Sequence, residues 1–322
     1  MIRYLARRIT FALLLVLIVS SAALWLTRLA PGDLTASFGL ERPEEIARLR
    51  ERFGLDRGVL EQWGLWLVQA ARFDFGESFL YNRPVGTLVA QGAMNTAALA
   101  AIALLVATVV GIPLGVLTGS RDGLVPQLVR GISVLCLSLP PLLTSLVFVW
   151  IAARTAWLPV GGMSSIDAAQ MGWGPWLADR LWHLPLPALA LALPMAATLE
   201  RLQSQSIGET MRQPFVAAAL ARGLSHGDAV TRHAWRASLR PVCALYGLVI
   251  GALLSGSFAV EYVTAWPGLG RLMYEALRAR DIYLVAGCAA AGALFLALGS
   301  IVSDLLLAAA DPRVRDSEAD AR

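Results

Sequence analysis

The chain has 322 residues, 57% of them hydrophobic and only 16% charged, where an ordinary soluble domain carries about a quarter charged residues. Its net charge of +4 makes no case for a nucleic-acid partner. Every one of its 27 basic residues is arginine, so a P-loop that needs its lysine on the nucleotide phosphates is excluded, as is Schiff-base chemistry through lysine.

The apolar residues fall in long runs. Crossing about 30 Å of hydrocarbon takes roughly 20 apolar residues as a helix, and lipid offers no partner to a free backbone group, so such runs must be helical. Six spans are predicted, giving an all-α integral membrane protein. The first covers 9–27. Arg3, Arg7 and Arg8 precede it and small residues follow at 20–23, as in a signal peptide, but the run continues through Leu24, Trp25 and Leu26 and is read as a retained span. Segment 28–94 comes next, with eight arginines against nine carboxylates. In it Ile46, Leu49 and Phe53 recur at helical spacing with Gly54 as a stop, and Leu60, Trp63, Trp66, Leu67 and Ala70 share a second helical face. A small external cap packed on the bundle and a surface for a partner both remain open for it.

The second span lies in the uncharged stretch 84–120, with its apolar core at 96–118. The third is 131–153 and the fourth 181–199. Between them 161–180, rich in Gly, Trp and Pro, reads as an external loop with residues at interfacial depth. The fifth span is 241–260, the sixth 282–303, and the tail after Asp311 is polar. Placing the N-terminus inside puts 14 arginines on the cytoplasmic side and 13 outside. Eight of those 13 lie in 28–94, which is long enough to cross regardless of charge. Without them the count is 14 against 5, which predicts both termini inside.

Cys136, Cys243 and Cys288 are odd in number, widely spaced and set in apolar runs. They read as small buried hydrophobes rather than redox or metal ligands. Within the runs the only ionisable residue is His183, near an end, where a structural role is the ordinary one. Carriers coupled to protons or ions place charges at mid-membrane. Charge-free spans therefore argue against a stand-alone secondary carrier or channel and describe walls of a passage that something else drives.

Segment 200–240 is the most distinctive. Arg201, Arg212, Arg222, Arg232, Arg236 and Arg240 stand against Glu200, Glu209 and Asp228. Pro214 suits the first turn of a helix that continues through Leu220 and Ala221. Gly223 is placed to end it in a left-handed conformation, and Ser225 to cap a second helix running to about Leu239, before Pro241 opens the fifth span. A basic loop on the cytoplasmic side and a docking surface for another protein both fit this pattern.

The stretch Phe215-Val216-Ala217-Ala218-Ala219-Leu220-Ala221-Arg222-Gly223-Leu224-Ser225 resembles the EAA loop of binding-protein-dependent ABC importer permeases, and more narrowly their dipeptide/oligopeptide/nickel branch. The resemblance extends over nearly the whole chain. Leu29-Ala30-Pro31-Gly32-Asp33, Phe53-Gly54-Leu55-Asp56, Phe73-Asp74-Phe75-Gly76-Glu77-Ser78 and Arg83-Pro84-Val85 match in the first third. Gly111-Ile112-Pro113-Leu114-Gly115, Trp266-Pro267-Gly268-Leu269-Gly270 and Asp311-Pro312-Arg313-Val314-Arg315 continue in the same order. The chain departs from the family pattern at Gln213-Pro214-Phe215, where the family often has an acidic residue and an aromatic, and at Leu220, where it usually has a basic residue.

The resemblance implies a six-helix type I (MetI-like) importer fold in the cell inner membrane. Residues 1–93 would be the first span and external segment, 94–309 the transmembrane domain with the EAA loop at 200–240, and 310–322 a cytoplasmic tail. It further implies no catalysis, cofactor or metal in this chain, a second homologous permease, two ATPase subunits and an external solute-binding protein that largely selects the solute. The EAA helix would couple to an ATPase through Phe215, Ala218, Ala219, Gly223 and Leu224, with Arg222 as a polar contact.

Overall fold

Backbone groups buried away from water must pair within the chain, and the described residues pair them mostly in helices. The computed structural model describes residues 2–29 and 58–310. The helical spacing expected at 46–53, the motifs at 30–56 and the tail after 311 lie outside the described residues. In order the helices are α1 (Ile2–Leu29), α2 (Val59–Ala70), α3 (Val85–Ser120), α4 (Leu124–Ser138), α5 (Pro141–Thr155), α6 (Trp173–His183), α7 (Pro185–Met211), α8 (Pro214–Ala221), α9 (Trp235–Val263), α10 (Leu269–Ala279) and α11 (Ile282–Ala310). Among the described residues five segments are long and apolar enough to cross a membrane: Ala6–Leu29, Val85–Ser120, Trp173–Met211, His226–Val263 and Ile282–Leu306. The bent pair α4–α5 makes a sixth when counted as one span.

That pair is where the third predicted span differs from expectation. The run 131–153 is not one helix but two, bent by 103°. The cause is the Pro140-Pro141 dipeptide. A residue before proline is pushed out of the helical region, and Leu139 and Pro140 are both extended, at φ −96°, ψ 112° and φ −59°, ψ 149°. Pro141 then opens α5 at its first turn, where its missing N–H is no loss. The expected external loop at 161–180 is also partly helical: Ile166–Gln170 forms a 3-10 turn, and α6 begins at Trp173.

The chain clusters into two compact units. One comprises Met1–Ala97 with Pro267–Ala297. Its core holds Val85, Leu88, Leu269, Leu284 and Val285. The second amphipathic stretch expected in 28–94 is α2, and it packs on α1: Trp66 and Leu24 of α1 are buried in one cluster, flanked by Trp63 and Leu67. Trp63 Nε1 also donates to Ser21 Oγ at 3.0 Å. In the same unit α10 ends on Arg280 in the left-handed region, and Asp281 opens α11. Asp281 is fully buried. One carboxylate oxygen accepts from Leu284 N–H at 3.1 Å, the usual cap of a first turn. The other accepts from Ser78 Oγ at 2.6 Å, Phe79 N–H at 2.7 Å and Leu80 N–H at 3.1 Å. Burial raises this carboxyl above its ordinary value, and the four donors pull it back.

The other unit comprises Ala98–Trp266 with Leu298–Arg322. Leu99, Leu191, Leu199, Val249, Leu253 and Trp266 form its core. Here α3 meets α7 along a glycine face. Gly111, Gly115 and Gly119 recur every four residues, so they share one side of α3. A Cβ built on them would lie 2.4 Å from the Ala196 carbonyl oxygen, 2.5 Å from that of Glu200 and 2.1 Å from that of Ser204. Backbone therefore touches backbone, which is how helices associate where lipid removes the hydrophobic drive.

Candidate functional site

The segment joining α7 to α9 is built around α8. Helix α7 extends to Met211, well past the expected span end at 199. It stops because Gln213, ahead of Pro214, is extended at φ −71°, ψ 145°. Pro214 then starts α8. Val216 and Ala219 face inward with no exposed surface. Val216 packs with Ile207, Ala229, Val230 and Ala234. The opposite side carries Phe215, 46% exposed, with Ala218 and Arg222 also exposed. The 215/218/222 spacing sets these three on one stripe of the helix.

The helix ends in a Schellman motif. Gly223 has φ +90°. Its N–H donates to the Leu220 carbonyl at 2.9 Å, and the Leu224 N–H reaches the Ala219 carbonyl at 3.3 Å. Arg222 Nε folds back onto the Ala218 carbonyl at 3.2 Å. Of the six residues expected to form a docking surface, Phe215, Ala218, Arg222 and Gly223 are exposed and Leu224 is half-buried. Ala219 sits underneath, because its position on α8 faces the Ile207–Val230 side.

Ser225 caps the next element as expected: its Oγ accepts from the Asp228 N–H at 3.1 Å and donates to the Asp228 carboxylate at 2.7 Å. The capped element itself is not the single expected helix. The helical turn His226–Asp228 leads into a π-helical turn, Ala229–Ala234, and then into α9, which runs through Pro241 without a break. The wide turn places Ala229, Val230 and Ala234 in the buried cluster under α8, a geometry common at functional segments. Prolines are tolerated inside membrane helices because neighbours re-satisfy the freed carbonyl. Behind the loop, α9 is tied to α7: Gln203 Nε2 donates to Ser238 Oγ at 2.8 Å, and Ser206 Oγ to the Ser238 carbonyl at 2.7 Å.

Glu200 went unrecognised in the sequence, where it read as one of the loop's carboxylates. It is 3% exposed and accepts a hydrogen bond from the Thr118 hydroxyl of α3. The only signal was its place at the edge of an apolar run. Among the described residues no three metal-ligating side chains converge. The exposed stripe carries an aromatic, a small side chain and an arginine.

Residues 111–316 match the family described as the binding-protein-dependent transport system inner membrane component. Residues 1–100 match the companion N-terminal membrane component of the same systems. A Brucella abortus (strain 2308) protein named for a peptide transport system permease is 34% identical over 315 residues, covering 96% of this chain and 98% of its own length. A Brucella ovis protein named for a peptide permease is 31% identical, over 98% and 99% of the two chains. The oligopeptide transport system permease protein OppB of Mycobacterium bovis is 30% identical over 98% of this chain and all of its own.

Proposed function

Since the chain belongs to the family of inner-membrane components of binding-protein-dependent transport systems, we propose that it is one of two related permeases enclosing an ATP-driven import passage for peptides, and that α8 is where it meets an ATPase. A multi-pass permease of such a system works with a solute-binding protein and an ATPase. The peptide assignment is supported by the names of its relatives. The absence of lysine sends the nucleotide site to another subunit. With both termini inside, as the arginine distribution favours, the α7–α9 loop is cytoplasmic.

The observation that carries the docking reading is the stripe of Phe215, Ala218 and Arg222 on a short exposed helix closed by Gly223. Ala218 and Gly223 let a partner's cleft approach the backbone, Phe215 supplies an apolar anchor, and Arg222 a charge. Ala219 and Val216 hold the helix to the bundle, so that a displacement of α8 is passed to α7 and α9 rather than lost in a loose loop.

Gly223→Asp tests it. An L-residue at φ +90° costs roughly 1–2 kcal/mol, and the new carboxylate lands beside Arg222. Nothing lies within 4 Å of a Cβ there, so membrane insertion is expected to be normal. Uptake of labelled peptide is expected to fall at least tenfold while ATP hydrolysis continues. Wild-type uptake at wild-type expression would sink the docking reading.

A further inference from the structure

Helix α3 ends at Ser120, and the carbonyls of a last helical turn have no partner within their own helix. Two of these are taken from other elements. Arg130 of α4 donates to the Thr118 carbonyl. His226, in the turn just after α8, places Nε2 2.8 Å from the Ser120 carbonyl. A carbonyl only accepts, so the proton is on Nε2, and a donor at a helix C-terminus is favoured by the dipole. Among the described residues this is the only hydrogen bond joining the stretch 213–228 to α3. The same end of α3 is pressed on α7 through Gly119 and is bonded to Glu200 through Thr118.

We propose that His226 is a positioning residue, a strut that makes the inner end of α3 move with α8. The proposal rests on α8 being the docking helix. A push on α8 then reaches α3 directly, beside the routes along α7 and α9. His226 is exposed, so it is not needed to fill a core and its replacement leaves the fold intact. Its value is the bond to Ser120, which a glutamine amide can also donate.

The experiment uses the permease assembled with its ATPases in lipid nanodiscs, with Cys136, Cys243 and Cys288 replaced by alanine and spin labels at the exposed positions 122 and 217. Distances are read without nucleotide and with ATP trapped by vanadate. The unaltered strut is expected to give one narrow distance in both states. One net hydrogen bond holds an equilibrium by a factor of about five, so His226→Ala is expected to raise the separated population about fivefold and to lower uptake per ATP by a similar factor. His226→Gln is expected to restore both. The strut is overturned if the distance already changes with ATP in the unaltered protein, if His226→Ala matches it, or if His226→Gln fails as badly as His226→Ala. Gly223→Asp run alongside separates the two readings: normal coupling in that variant defeats docking at α8, while the 122–217 distance still decides the strut.

Discussion

Gly115→Val is expected to leave little or no folded permease in the membrane, and Gly115→Ala to lower its stability by about 3 kcal/mol or more. Overpacking a helix contact usually costs about 1–3 kcal/mol when side chains can shift. Here they cannot, because the new Cβ would meet the Glu200 carbonyl oxygen at 2.5 Å and the Gln203 Cβ at 2.6 Å. Backbone on α7 has no rotamer to change, so the helices must part. Parting them also strips contacts at Gly111 and Gly119, and pulls Thr118 from Glu200. Membrane yield and apparent melting temperature of the detergent-purified protein measure this. Gly131→Ala is the control: Gly131 lies inside α4 with nothing within 4 Å, and alanine there is expected to be neutral or better by up to about 1 kcal/mol. A Gly115→Val protein with wild-type yield and melting would refute close backbone contact between α3 and α7.

Asp281→Ala is the second large effect expected. It removes the acceptor for the Ser78 hydroxyl and the N–H groups of Phe79, Leu80 and Leu284 at a site with no exposed surface. A buried donor left unmatched costs about 1–3 kcal/mol, and partial relaxation of four of them leaves a loss of roughly 3–5 kcal/mol. The apparent melting temperature is expected to drop by about 6–10 °C. Asp281→Asn keeps one acceptor oxygen but turns an NH2 toward donors, so an intermediate drop is expected. The segment 76–84 should loosen first, since three of the four donors that lose their acceptor belong to it, although Tyr81 still donates to Glu275 and the Phe79 ring still meets Tyr283 edge-on. Faster proteolysis at Arg83 in Asp281→Ala than in the parent reads that directly. Equal melting and equal proteolysis would show that the segment is held by something other than Asp281.

The placement of membrane helices was legible in the sequence because hydropathy acts locally: a run of apolar residues is too costly to leave in water whatever its neighbours do. α8 was legible for a related reason. Pro214, Gly223 and Ser225 fix backbone geometry within a few residues, and all three act as their types predict. The resemblance across the chain, which the family matches bear out, added the importer function.

Tertiary structure decided what depends on partners distant in sequence. The break at Leu139-Pro140 and the passage of α9 through Pro241 involve the same residue type. Proline ends one helix and not the other, because a proline pair excludes helical geometry twice in succession while a single one is accommodated by its neighbours. Ala218 and Ala219 are identical in the sequence, yet one is exposed and the other buried, by the direction each takes from α8. Asp281 gave no local sign that residues 78–80 would supply three of its four donors, nor His226 that it would reach Ser120. Hydropathy and turn chemistry are properties of short stretches, which the sequence alone determines. Which face is buried and which carbonyl finds a donor are properties of packing, and these only the folded chain decides.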